Sequence, residues 1–248
     1  MTAIAQGRAR RAALVSAVCA LVVSGTALTG CSEDPDEGTN GVGKLSAAEI
    51  QRKTRTAADT AAAVRLSGNV VTSGRTYQLD MRLKSDGATG SVTAQGSTFQ
   101  LLRIGEQLYL KADDGFWSDA GDDGKADAAA VDKLGGKYVK VPQGDPSYKK
   151  FSGFTDKGVL LDGLLTLHGT LAKDGYHERA GTRIIRVTGD AGSGGTLDVS
   201  LKGTPYPLRL TRAGGAGTLT FSAWGEDFPL EKPAKDDTVD YGKQLPTS

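Results

Sequence analysis

Tyr77-Gln78-Leu79-Asp80-Met81-Arg82-Leu83 alternates apolar and polar side chains without a break. A period of two puts every second residue on the same side of a strand, so this stretch reads as a β-strand with one buried and one wetted face. Strands of this kind pair into antiparallel sheets that have a covered side and a solvated side. The same pattern recurs on both sides of it. Asp86-Gly87 is a turn, and Ser91 to Ala94 is a short strand. Phe99 to Ile104 and Gln107 to Lys111 flank Gly105-Glu106. Further along, Thr182 to Thr188 reads as a strand. Leu197, Val199 and Leu201 alternate with Asp198 and Ser200. Leu208 and Leu210 alternate with Arg209 and Thr211, and Leu219 and Phe221 with Thr218 and Thr220.

Helical signals stand around these strands. Ser46-Ala47-Ala48-Glu49 is a capping box. Ile50, Ala57, Ala61 and Val64 then follow on one helical face, which predicts a helix running to about Arg65. Ala126 to Leu134 predicts a short helix. Tyr138 to Val141 predicts a brief strand stopped by Pro142. Val159 to Leu167 predicts an apolar helix of about three turns, weakened by Gly158 and Gly163. Antiparallel strands with segregated helices make an α+β layer fold. Glycine, 34 of 248 residues, is about twice its ordinary ~7% share, and it sits between the apolar runs where turns belong.

The N-terminus carries a different message. Arg8, Arg10 and Arg11 precede an uncharged stretch from Ala12 to Leu28, and Leu28-Thr29-Gly30-Cys31 closes it. A basic head, a short apolar core and a small-residue cleavage site make a secretory signal peptide over residues 1–30. The residues after Arg10-Arg11 fit general secretion better than twin-arginine export. The motif ending at Cys31 is a lipobox, so the cysteine is expected to take a diacylglycerol and an acyl chain such as palmitate. The mature protein is then anchored to the outer, extracytoplasmic face of the cell membrane. Residues 31–44, acidic and glycine-rich, are expected to be a flexible tether. Residues 45–233 are expected to be the domain and 234–248 a loose tail.

Loss of thirty residues from 248 leaves 218, carrying 27 basic and 29 acidic side chains. That balance offers no electrostatic footprint for nucleic acid. Cys31 is the only cysteine left after processing, so the domain is expected to fold without disulfides, as a monomer held by its packed core.

No constellation for chemistry stands out. His168 and His177 lack the spacing of a zinc pair and have no cysteine to complete a site. The acidic loop from Asp119 has Gly121 and Ala130 where a calcium loop needs acidic ligands. No Gly-x-Ser-x-Gly elbow occurs, and Gly192-Ser193-Gly194-Gly195 lacks the Lys of a phosphate loop. Metal, cofactor and catalysis are therefore not expected. Phe116, Trp117 and Trp224 are expected to be core or cavity-rim anchors.

Gln107-Leu108-Tyr109-Leu110-Lys111 before the Phe116-Trp117 pair, with Tyr206-Pro207-Leu208-Arg209-Leu210 and Thr220-Phe221-Ser222-Ala223-Trp224-Gly225, resembles the actinobacterial LppX/LprG-type lipoproteins. The resemblance covers about Leu45 to Pro233. It implies a LolA-like fold: a strongly curved, unclosed β-barrel with helices on its concave face. It also implies a hollow for acyl chains or glycolipids, because several members hold such ligands. Leu79, Met81, Leu101, Leu110, Leu164 and Leu208 are the candidate wall residues. The competing expectation is an interaction protein with a filled core, docking on an envelope complex.

Overall fold

The computed structural model describes residues 34–119 and 133–240. The signal peptide, Cys31 and most of the helix expected over Ala126 to Leu134 lie outside the described residues.

Ser46 starts helix α1 (Ala47–Thr60) with the reciprocal capping box read from the sequence. Its Oγ accepts the Glu49 N–H at 3.4 Å, and the Glu49 carboxylate accepts the Ser46 N–H at 3.1 Å. Ile50, Thr54, Ala57 and Ala58 form the buried stripe. The helix stops five residues before the expected Arg65. Ala63–Thr72 is instead strand β1. The alanines at 61–63 fit either period, and two strand partners for Val64 and Leu66 decide the matter.

Among the described residues eleven more strands follow: β2 (Arg75–Lys84), β3 (Gly87–Ala94), β4 (Ser97–Ile104), β5 (Gln107–Ala112), β6 (Tyr138–Val141), β7 (Leu171–Arg179), β8 (Thr182–Gly189), β9 (Thr196–Ser200), β10 (Pro207–Thr211), β11 (Gly217–Ser222) and β12 (Thr238–Asp240). They form one open sheet in the order β12-β6-β5-β4-β3-β2-β1-β11-β10-β9-β8-β7. Strand β1 joins the halves, pairing with β2 on one side and β11 on the other. The sheet is antiparallel except at one edge, where β12 runs parallel to β6, so it is mixed and not purely antiparallel as expected.

Among the described residues, helices α2 (Asp114–Asp119), α3 (Pro146–Thr155) and α4 (Lys157–Leu164) accompany the sheet. The apolar helix expected over Val159 to Leu167 is α4, which starts at Lys157 and ends at Leu164, and α3 precedes it as a helix the sequence reading did not assign. Asp145 caps α3, with Pro146 at its first position, and Asp156 caps α4 by accepting the Val159 N–H at 2.9 Å. α1 touches β7 and β8, and it also touches α4. α4 touches α3, and α3 lies on β3 and β4. Laid flat, twelve strands would span about 50 Å. Three helices spaced ~8–10 Å apart cannot bridge β8 to β4 across a flat sheet, so the sheet curls around them. Gly68, in the middle of β1 at φ 135°, lies where a Cβ would collide with the Thr218 carbonyl oxygen. A mid-strand glycine of this kind marks a tight bend or a close backbone approach. One buried cluster joins Leu66, Leu79, Met81, Leu101 and Leu110 to Val187, Val199 and Leu219 from the other half, with Ile50, Trp117, Phe151 and Leu164 from the helices.

Both termini of the described chain correct the sequence reading. From Pro35 the expected flexible tether is folded. Asn40 donates to the Ser200 and Gly203 carbonyls at 2.9 and 3.0 Å, and Lys173 donates to Gly43 O at 2.9 Å. Tyr176 OH donates to the Asp36 carboxylate at 2.7 Å, and Val42 is buried. Of the acidic cluster that suggested solvation, Asp36 is buried against Tyr176, and Arg183 donates to the Glu37 main-chain carbonyl. At the other end, the expected loose tail contains β12, tied by Lys140 to Asp240 at 2.8 Å.

Candidate ligand pocket

Strand alternation brings Tyr77 onto the same face as Leu79 and Met81. The β2–β3 and β3–β4 registers place Ala94 opposite Tyr77 and Ser97 opposite Ala94. Phe99 follows on the buried side of β4. The turns at this end of the sheet are two-residue hairpins. Ser73-Gly74 and Gln95-Gly96 both have positive φ at the two central positions, which matches the twist of the paired strands. Helix α3 supplies Lys150, Phe151 and Phe154. Helix α2 supplies Phe116, whose N–H donates to the Asp113 carboxylate at 2.9 Å.

These segments enclose a cavity of about 250 Å³, lined by Arg75, Tyr77, Ala94, Gln95, Ser97, Phe99, Phe116, Lys150, Phe151 and Phe154. Its walls are aromatic. Tyr77 and Phe154 lie 5.7 Å apart between centroids, Phe99 and Phe151 5.5 Å, and Phe99 and Phe116 5.3 Å. All three pairs are tilted or edge-on, the arrangements that aromatic quadrupoles favour. The cavity grades in polarity. Phe99 and Phe151 are buried, Tyr77, Phe116 and Phe154 are half-buried, and Arg75, Gln95 and Lys150 are exposed. At ~30 Å³ per water-sized group, the space admits on the order of eight methylenes.

Leu79, Met81, Leu101, Leu110 and Leu164 are all buried in the core cluster, and none of them lines the cavity. Leu208 departs from the expectation. The β9–β10 pairing shifts register between Pro207 and Arg209, which puts Leu208 out of phase with Leu210. A bulge of this kind re-aims a side chain. Leu208 is half-buried and outside the cluster, and Leu210 is the buried residue.

The three aromatics named from the sequence divide. Trp117 is fully buried and packs edge-on against Phe116 at 5.2 Å. Phe116 is at the cavity wall. Trp224 is remote from the pocket. It stacks on Tyr206 at 4.7 Å, and its Nε1 donates to Pro207 O at 3.0 Å. Arg75, Gln95 and Lys150 escaped the sequence reading, because charged and polar residues at turns and on helices look like ordinary solvated surface.

Elsewhere the polar chemistry is structural. Asp198, buried on the outer face of β9, accepts from Arg186 Nε at 2.6 Å and from Arg179 Nε at 2.9 Å. Its hydrogen bond holds the Arg186 guanidinium pKa above the usual arginine value. Arg65 bonds both oxygens of Asp80, at 2.9 and 2.7 Å, and holds that carboxyl below its ordinary range. His168 is exposed and His177 half-buried, and they belong to separate segments. Among the described residues no group of His, Cys, Asp and Glu is placed to hold a metal ion. No helix among them is long and apolar enough to cross a membrane.

No family model matches the chain, and no curated protein matches it. Solved structures do. LprF from Mycobacterium bovis superposes with a TM-score of 0.53 at 16% identity, over 76% of this chain and 97% of that one. The Mycobacterium tuberculosis lipoprotein LppX gives 0.46 at 17%, over 74% and 97%. An uncharacterized conserved protein from Thermus thermophilus gives 0.38 at 12%, over 78% and 98%. The likeness to LprF establishes the fold: an α+β architecture on one open, curved sheet, as the sequence resemblance implied.

Proposed function

We propose that this protein is an exported lipoprotein, anchored through acyl chains on Cys31 at the outer face of the cell membrane. Its domain takes an acyl chain of an amphiphile into the aromatic pocket, as a monomeric binding protein and not as an enzyme. The observation that carries this reading is the cavity, whose five aromatic rings deepen from an exposed polar rim to the buried Phe99 and Phe151. Such a graded, mostly apolar concavity with few polar groups is how small-molecule sites are usually built. Its charged lining, Arg75 and Lys150, has no partnered nucleophile or acid–base pair in reach of a bound chain. The lipobox from Leu28 to Cys31 supports the anchor.

Chain burial supplies the affinity. Each buried methylene contributes ~0.8 kcal/mol, close to fourfold in Kd. The test is calorimetric titration of the mature chain, with Cys31→Ser to prevent acylation, using carboxylates of six to sixteen carbons. Affinity should climb about fourfold per methylene and level off near eight to ten carbons, when the cavity is full. If no chain length binds, the pocket reading fails and the envelope-docking reading replaces it.

A further inference from the structure

The pocket's rim is charged on one side only. Its ten lining residues include Arg75 and Lys150 and no carboxylate. Four other surface cavities among the described residues each carry at least one acid. Glu106 and Asp240 line one, Asp113 and Asp114 a second, Asp59 and Asp162 a third, and Asp80 the fourth. In three of these the acid neutralises a cation directly: Asp240 binds Lys140 at 2.8 Å, Asp162 binds Arg55 at 2.7 Å and Asp80 binds Arg65 at 2.7 Å. Neither Arg75 nor Lys150 forms an ion pair or side-chain hydrogen bond with another described residue.

Resting on the acyl-chain reading above, we propose that the pocket selects a single-chain amphiphile with an anionic head, a carboxylate or phosphate. Arg75 and Lys150 meet the head while the five rings take the chain. The two cations come from different elements, the start of β2 and the middle of α3, and converge on one mouth. A guanidinium offers a planar fork to a carboxylate or phosphate, and an ammonium adds a movable point charge. Gln95 and Ser97 place neutral donors beside them. A cavity of about 250 Å³ is too small for two long chains, which sets the single-chain limit. The polarity gradient fixes the orientation: tail toward Phe99 and Phe151, head at the exposed rim.

The experiment holds the chain at ten carbons and varies the head, using the mature chain with Cys31→Ser. Decanoate, decyl phosphate, decanol and decyltrimethylammonium are titrated in turn, with acetate and inorganic phosphate as chainless competitors. Decanoate and decyl phosphate should bind about tenfold tighter than decanol, the ~1.4 kcal/mol that two part-solvated charge contacts supply. The cation should bind more weakly than decanol. Added salt should narrow the difference. The Arg75→Gln, Lys150→Gln double variant, altered only at exposed positions, should keep decanol binding and lose the preference. Equal binding of decanol and decanoate overturns the headgroup inference and leaves the acyl-chain reading intact. So does a preference that survives the double variant. Displacement of decanoate by acetate or phosphate alone would mean a free-anion site and would also overturn it. Failure of all four chains to bind removes the acyl-chain reading itself.

Discussion

Replacing Lys157 by Met should loosen the junction between α1 and α4. Lys157 starts α4, yet it is only 6% exposed, with its side chain at the C-terminal end of α1. Its Nζ donates to three carbonyls there: Ala58 at 3.3 Å, Asp59 at 2.5 Å and Ala61 at 2.9 Å. α1 has no basic residue in its own last turn, so this lysine is the cation that answers the negative end of the helix. Methionine matches the stem and removes the donors. A cation at a partly buried helix C-terminus contributes up to ~2 kcal/mol. Leaving buried carbonyls unpaired costs a further ~1–3 kcal/mol. Relief of the ammonium's own desolvation offsets part of this. The net loss should be about 2–4 kcal/mol, or roughly 5–15 °C in Tm for a domain of this size. The pH dependence has a definite sign. Burial outweighs the nearby Asp59 and Asp156 charges and holds the lysine below its ordinary 10.5. The unfolded chain therefore keeps the proton to higher pH, and wild-type stability rises as pH climbs through the window below 10.5. Lys157→Met should lack that rise. Urea unfolding of both proteins at pH 7 and at pH 9–10 measures both effects. A variant within about 0.5 kcal/mol of wild type at pH 7 would show that the three bonds do not hold α1 to α4.

Cys31→Ser in the producing cell should leave an unprocessed precursor that takes no label from a fatty-acid probe, and labelling of the variant would refute the lipobox assignment. Gly68→Val should lower the urea midpoint by an amount equivalent to at least about 2 kcal/mol, since φ 135° and the facing Thr218 carbonyl leave no room for a branched side chain; a neutral result would mean that β1 can relax away from β11 there.

Much of the fold was legible because Tyr77 to Leu83 and Thr218 to Phe221 each carry one buried face. Periodicity reports burial directly. The capping box at Ser46 and the short strand from Tyr138 to Val141 were equally local and equally readable. What escaped depends on partners far along the chain. The alanines at 61–63 suit a helix or a strand, and only pairing with β2 and β11 makes Ala63–Thr72 a strand. β7 is an edge strand with a mostly exposed sequence, including Lys173-Asp174-Gly175, so it has no apolar face to announce it. Leu208 shows the converse failure: its alternation was intact in the sequence, and a bulge in the pairing changed the phase. The pocket was half legible. Of its aromatic wall, the sequence reading names Phe116 as a core or cavity-rim anchor. The convergence of Arg75 with Lys150, seventy-five residues apart, exists only once α3 folds over the β2–β4 hairpins.

The central claim is that the chain lies along Phe116 with its tail at Phe99 and Phe151, and the two tryptophans of the protein can report on it. Trp117 packs against Phe116 at the pocket wall. Trp224 follows β11 next to Ala63, whose carbonyl accepts the Gly225 N–H at 2.9 Å. The pocket lies at the other end of β1, where Val70 faces Tyr77. Seven residues at ~3.3 Å per residue separate the two ends by about 23 Å. Fluorescence is therefore measured on Trp224→Phe, which retains Trp117, and on Trp117→Phe, which retains Trp224, during titration with a fatty acid brominated along its chain. Saturable quenching of Trp117 with Trp224 unaffected is the result predicted here. Quenching of Trp224 alone, or equal loss at both, would place the chain elsewhere and contradict the account.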